Sequence, residues 1–321
     1  TTKRGTAGKV TINFDAKVGV NSRAVPAYDV ITDPGEYYEM AWEAARNNVL
    51  GSKDLAQAGI YASANLLKLL GPYNIYEGIA DDQIVDPGTG KLNANASYRK
   101  WSDDWSKDVF RSGIRQEYNI SAAGGSDATQ GYMSVSYLND EGYVPNSGFN
   151  RIAVRAKVDH TVNKFIKAGI NLAYSNTVQR QYNDTEGSNY SNLFMFSQMI
   201  APIYPIYLYD ANGNRQYDEL GNVKYDWGET GRAYAPTSNA YGQLMSSIAK
   251  TTRDNISSRG YVNINLLKDL VFSANVAYDV FNTVYDIYAT PNGGDAANVG
   301  GRGEQEADRY MALNANQLLT W

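Results

Sequence analysis

The stretch RIAVRAKVDH at 151–160 alternates without a break. Arg151, Arg155, Lys157 and Asp159 fall on one parity, and Ile152, Val154, Ala156 and Val158 on the other. A period of two over this length reads as a β-strand with one charged and one apolar face. The pattern recurs along the chain. KVTINFDAKVGV sets Val10, Ile12, Phe14, Ala16, Val18 and Val20 against Thr11, Asn13, Asp15 and Lys17. Comparable apolar rows are Tyr118, Ile120, Ala122; Met133, Val135, Tyr137; Ala168, Ile170, Leu172, Tyr174; Val262, Ile264, Leu266; and Phe272, Ala274, Val276, Tyr278. MALNANQLLTW is a weaker, frayed example. This gives about eight strands of roughly 8–12 residues, long enough to cross a bilayer at a tilt. The apolar faces must meet either a protein core or lipid.

Composition narrows the choice. A net charge of −5 and a pI near 5.1 argue against a nucleic-acid footprint, which needs a basic face. Cysteine is absent, which excludes disulfide frameworks, thiolate metal sites and cysteine nucleophiles. No uninterrupted apolar run is long enough for a transmembrane helix. A mean hydropathy of −0.46 does not exclude a membrane barrel, because barrels expose apolar residues only at alternate positions. The 26 tyrosines suit membrane interfaces and carbohydrate or peptide contacts, since each couples an apolar ring to a polar tip.

The connections point the same way. Short links at 124–130, 163–165 and 268–270 alternate with long ones at about 21–116, 140–150, 177–257 and 289–309. In an up-and-down meander, alternate connections lie at opposite ends, so one end has tight turns and the other elaborate loops. That asymmetry is typical of outer-membrane barrels. The charged parity in mid-strand would also be costly inside a closed protein core. Within the first long connection, Asp33-Pro34 with Glu36 announces a helix over PGEYYEMAWEAARNNVL that stops at Gly51. A second helix, KDLAQAGIYASANLLKLL, is expected to be capped by Ser52 and ended by Gly71-Pro72. Asn212-Gly213 and Gly221-Asn222 mark one or two surface hairpins in 209–226.

Several segments resemble the SusC/RagA family of TonB-dependent outer-membrane transporters. The most specific lies at about 81–176, with the Asp104-Trp105 pair, FRSGIRQEYNISAAGG and YLNDEGYVPNSGFNR in the family's order and approximate spacing. TTKRGTAGKVTINFDAKVGV is similar to the exit from the family's plug into its first barrel strand. The resemblance implies an all-β fold: the N-terminal part of a large antiparallel transmembrane β-barrel, with long extracellular loops containing short helices. Residues 1–9 would end the plug domain and 10–321 would start the barrel, the chain being an internal piece of a longer polypeptide. It further implies a Gram-negative outer membrane and active import of oligosaccharides or peptides. The implied partners are a SusD-like surface lipoprotein, TonB through a plug segment outside this chain, the remaining barrel strands, and outer-membrane lipid. No cofactor, metal or enzymatic activity is implied.

Candidate site residues follow. Arg151, Arg155, Lys157 and Asp159 would face the lumen or the plug. Tyr204, Tyr207, Tyr209, Trp227 and Tyr234, on the loops, could stack on sugar rings or pack on peptides. Other constellations are bland. The single histidine, His160, cannot form a histidine metal cluster. The carboxylates of SDDWSKD (102–108) and ADDQIVD (80–86) read as solvated loop faces. Asp210, Asn212, Asn214 and Asp218 lack the bidentate Glu and central Gly of an EF-hand. GGDAANVGGRGEQ at 293–305 reads as a flexible loop. The rival readings are a passive porin and a soluble or surface glycan-binding β-sandwich.

Overall fold

The computed structural model describes residues 8–26, 28–181, 191–294 and 296–321. The plug end expected at 1–9 lies largely outside them, as does part of the loop expected at 177–257. Eight strands form one antiparallel sheet in strict sequence order: β1 (Gly8–Asn21), β2 (Gly113–Gly125), β3 (Thr129–Glu141), β4 (Gly148–Thr161), β5 (Ile166–Arg180), β6 (Ile248–Leu267), β7 (Leu270–Ala289) and β8 (Arg302–Thr320). Every neighbouring pair is antiparallel, and no strand crosses over another.

The strands are longer than the alternation indicates. β6 and β7 each have 20 residues, and β8 has 19 rather than the frayed C-terminal piece expected. The added lengths, such as IAKTTRDN and RGEQEADR, are polar on both parities. Where both faces are wet the binary pattern disappears, but the backbone ladder continues. Consequently the long connections contract to 22–112, 142–147, 181–247 and 290–301. Residues 293–305 are not one flexible loop: they contain a 3-10 turn at Ala297–Val299 and the start of β8.

Direct cross-strand partners share a face. On one face Phe14, Ile120, Val135, Val154, Tyr174, Ile256, Val280 and Met311 form a continuous row. No second sheet is described, and Ile12 remains 67% and Met133 53% exposed. A β-sandwich would interleave such residues with a facing sheet, so the sandwich reading fails here.

The buried core lies elsewhere. It consists of loop residues: helices α1 (Pro34–Val49) and α2 (Leu55–Leu70), segment 73–109, Val144, helices α3 (Leu193–Met199) and α4 (Ala240–Ser246), and the chain between them. Asp33 caps α1, accepting from the Glu36 amide at 3.0 Å. For α2 the cap is Asp54, not Ser52. Asp54 accepts from Gln57 N at 2.8 Å, whereas Ser52 bonds the Val49 carbonyl that ends α1. The buried side of α2 is small (Ala58, Gly59, Ala62, Ser63), so α1 approaches closely and Trp42 Nε1 donates to Ser63 Oγ at 2.8 Å. No described helix is long and apolar enough to cross a membrane.

Candidate functional site

The expected wall residues Arg151, Arg155, Lys157 and Asp159 share the face opposite the apolar one. Their partners on that face include Ser134, Tyr132, Ala173, Asn171 and Gly169. A depression of about 550 Å³ on this face is lined by Arg151, Arg155, Asn171, Ser257, Arg259 and Asp279, among others. Its lining mixes small residues such as Ser134, Ala153 and Ala173 with those charges. Lys157 Nζ lies 3.2 Å from Asp159 Oδ2, and Arg259 lies 3.5 Å from Asp279. Asp159 is buried because Tyr261 lies across Gly169 and donates its hydroxyl to Asp159 Oδ1 at 2.7 Å. A Cβ on Gly169 would stand 2.7 Å from that carboxylate and 2.9 Å from Tyr261 Cζ, so this position requires glycine.

The short turns all lie at one end of the sheet, at 126–128, 162–165 and 268–269. At the other end the loops fold together as a layer. Its central clamp is WSDDW at 101–105. Trp101 Nε1 donates to the Ile203 carbonyl at 3.2 Å, and Trp105 Nε1 to the Tyr204 carbonyl at 2.9 Å. Asp103 accepts from the Ile206 amide at 2.8 Å and the Tyr209 hydroxyl at 2.5 Å, with Arg215 at 3.8 Å. Asp103 is therefore a loop-to-loop tie, not a solvated carboxylate. Asp86 and Asp104 serve local turns: Asp86 accepts from Gly88 N and Thr89 N, and Asp104 from Ser106 N. Burial outweighs each single bond at Asp104, but Lys107 and Ser106 together hold its carboxyl below the usual range.

The five aromatic candidates separate by burial. Tyr204 is 1% exposed, and its hydroxyl donates to the Leu70 carbonyl at 2.6 Å; burial pushes it up to about 12. Trp227 is also buried and packs over Gly293. These two hold the layer together and present no surface to a ligand. Tyr207, Tyr209 and Tyr234 are half-buried or nearly so. Tyr207 stacks on Tyr225 with ring centroids 5.6 Å apart and carries the Arg215 guanidinium 3.9 Å from its own. Tyr209 stacks on Trp101 at 6.1 Å.

An eight-residue repeat organises this region: Tyr209-Asp210, Tyr217-Asp218 and Tyr225-Asp226, with Gly213-Asn214 and Gly221-Asn222 between. Asp210 accepts from Asn212 N and Asn214 N, and Asp218 repeats this with Leu220 N and Asn222 N. Gly213 (φ 78°) and Gly221 (φ 81°) supply the left-handed turn residue. Leu208 N donates to Lys224 O, Lys224 N to Gln216 O, and Gln216 N to Leu208 O, each at 2.9 Å. The pairs of hairpin signals are thus successive turns of one cyclic coil, and the period of eight was the signal for it. Its third aspartate, Asp226, does not cap a turn of this kind. It is 1% exposed, accepts from Tyr73 at 3.1 Å and Gly228 N at 3.0 Å, and pairs with fully buried Arg232 at 3.2 Å. Arg232 also donates to the carbonyls of Tyr234, Ala235 and Ser238. Nothing in the local sequence distinguishes Arg232 as buried.

Among the described residues, no group of three or more His, Asp or Glu is arranged to hold a metal ion. No protein-family model matches the chain. It is 37% identical over 81 residues to "TonB-dependent receptor P39" of Formosa agariphila, a match covering 25% of this chain and 8% of that protein. It is 21% identical over 221 residues to "TonB-dependent receptor P3" of the same organism, covering 68% of this chain and 21% of the relative. Among solved structures, the RagAB peptide importer in its "closed-closed" state aligns with 98% of this chain and 33% of its own, at 17% identity and a TM-score of 0.61. Its "open-open" state aligns over the same shares with a TM-score of 0.55. The chain spans a third or less of each protein it matches. In sequence it resembles TonB-dependent receptors, and its sheet has the fold of part of the RagAB peptide importer.

Proposed function

We propose that this chain forms the first part of the barrel wall, and part of the extracellular loop layer, of a TonB-dependent importer in the outer membrane of a Gram-negative bacterium. The observation that carries this reading is the division of the molecule into two chemistries. The sheet has one exposed apolar face and an opposite charged face, while the buried core cluster lies in loops at one end. A soluble protein gains its stability by burying such a face, whereas a barrel in lipid need not. The cargo class is oligosaccharide or peptide, the peptide alternative being favoured by the likeness to a peptide importer. A SusD-like lipoprotein would close over the loop layer, and TonB would act through a plug that ends ahead of β1.

In this reading Arg151, Arg155, Lys157 and Asp159 line the lumen and meet the plug. Tyr207, Tyr209 and Tyr234 remain candidates for cargo or lid contact; Tyr204 and Trp227 do not. The protein binds, orients and gates, and breaks no bond. A passive porin would share the wall but need no energy input. Uptake of labelled oligopeptides by cells making the whole protein, with and without a proton-motive-force uncoupler, tests this reading. Energy-independent uptake would refute the importer. The wall itself is tested by Val154→Arg, on the apolar face, against Ala153→Arg, on the polar one. The first should cost the folded barrel about 2–4 kcal/mol near mid-membrane and the second far less; equal costs would refute the lipid-facing assignment.

A further inference from the structure

Gly260 stands on the apolar face of β6, opposite Ile170 of β5 and Val276 of β7. Neither backbone nor crowding calls for glycine here. Its φ is not in the left-handed region, and an added Cβ would meet only the Gly169 carbonyl oxygen, at 3.9 Å. What the glycine provides is room. On β6, Gly260 lies low between two ridges, Ile170 (47% exposed) on one side and Val276 (49%) on the other. The result is an apolar groove of about 490 Å³.

We propose that this groove is a lipid site that holds one acyl chain of a glycerophospholipid, with its phosphate at His160. The inference rests on the membrane reading above, and the dimensions support it. The ridges are two interstrand spacings apart, roughly 10 Å. After the ridge atoms take their own radii, this admits one hydrocarbon strand about 4 Å across. The lining extends from His160, Ala168, Val262 and Ala274 at the short-turn end to Ile170, Gly260 and Val276, roughly 7 Å further along the strands, and so holds the headgroup-proximal methylenes of a chain. It begins at the short-turn end, so the chain belongs to the leaflet on that side. His160, the only histidine in the sequence, lines the groove there and is solvent-exposed. Its Nδ1 lies 2.7 Å from Thr129 Oγ1. With Nδ1 accepting from that hydroxyl, Nε2 carries the proton and can donate to a phosphate oxygen. Lys164, in the adjacent turn, adds positive charge at the same level.

The test is native mass spectrometry of the whole protein, purified from membranes in a mild detergent. Wild type should retain one phospholipid-mass adduct per barrel. Gly260→Leu, which fills the trough, should abolish it, and His160→Ala should weaken it severalfold. Ile152→Leu, an apolar-face change off the groove, should leave it intact. An adduct that persists in Gly260→Leu, an adduct of lipid A mass, or no adduct on wild type would overturn the proposal. Heat-modifiable gel mobility of every variant is read in parallel. If folded barrels lack that signature the membrane reading fails, whereas a normal signature without the adduct faults the groove alone.

Discussion

Arg232→Met is the most informative change in the loop layer. The guanidinium is fully buried and donates to Asp226 Oδ2 and to the carbonyls of Asp226, Tyr234, Ala235 and Ser238. Methionine approximates its stem but satisfies none of these acceptors. Burial already pushes the Asp226 carboxyl above its ordinary range, more than Arg232 can offset, and burial likewise lowers Arg232. Both directions say that desolvation exceeds the pair's attraction. The pair is therefore not a net source of stability, but breaking it leaves a buried charge, at a cost of about 3–5 kcal/mol. Orphaned carbonyls add to this, about 1–3 kcal/mol for any that water cannot reach. Trp42, Trp101, Trp105 and Trp227 lie in the loop layer, so its unfolding contributes to the urea-induced fluorescence change. At an m-value of about 1–3 kcal/mol/M, a loss of about 4 kcal/mol moves the midpoint down by more than 1 M. Adding Asp226→Asn should recover part of the loss, because the second substitution removes the stranded charge. Since the folded Asp226 binds its proton more tightly than the unfolded one, its contribution is greatest below the unfolded pKa and declines as pH rises through the folded one. Arg232→Met should accordingly be less harmful in acid. A stability loss below about 1 kcal/mol, or one independent of pH, would refute the reasoning.

Asp103→Ala should detach 203–209 from the clamp: its side chain is 4% exposed and three bonded donors, Ile206 N, Tyr207 N and the Tyr209 hydroxyl, would lose their acceptor. The expected loss is about 3 kcal/mol by the same fluorescence assay, with Trp101 emission changed. Glu39 is held below the usual carboxylate range first by its bond from Lys91 and then by the Leu92 amide at 2.8 Å. Its contribution is present above the unfolded value near 4.5 and lost as pH falls through the lowered folded pKa, so Leu92 amide protection in hydrogen exchange should fall in acid and lose that pH dependence in Glu39→Gln. Gly169→Ala should cost the barrel about 1–3 kcal/mol by overpacking, and Tyr261→Ala in the same chain should relieve the strain; an unaffected heat-modifiable transition would refute the ring-over-glycine packing.

How legible each part was in the sequence follows from how many solvents a segment meets. In the proposed barrel, one face of each strand within the bilayer band would meet lipid and the other the lumen. That contrast writes itself as Val154 beside Arg155, so strand number, antiparallel order and the sides of Arg151, Arg155, Lys157 and Asp159 could be read directly. Beyond the band, TTRD of β6 and GEQE of β8 meet water on both sides, and no alternation marks strands that hydrogen bonding still extends. The loop layer obscures function for the opposite reason. Its tyrosines, chosen as ligand contacts because aromatic loops bind sugars and peptides, are the layer's own core: Tyr204 closes on Leu70 and Trp227 on Gly293. Alongside Leu, Ile and Val, the layer's core uses aromatic rings whose polar tips satisfy nearby carbonyls, Tyr38 on Tyr73 and Tyr204 on Leu70. Tyrosine abundance in such a chain therefore does not by itself locate a binding surface. The residues that retain both exposure and an anchored geometry, Tyr207 and Tyr209, are better candidates because Arg215 and Trp101 already hold their rings in place. A preordered ring loses less entropy when cargo arrives.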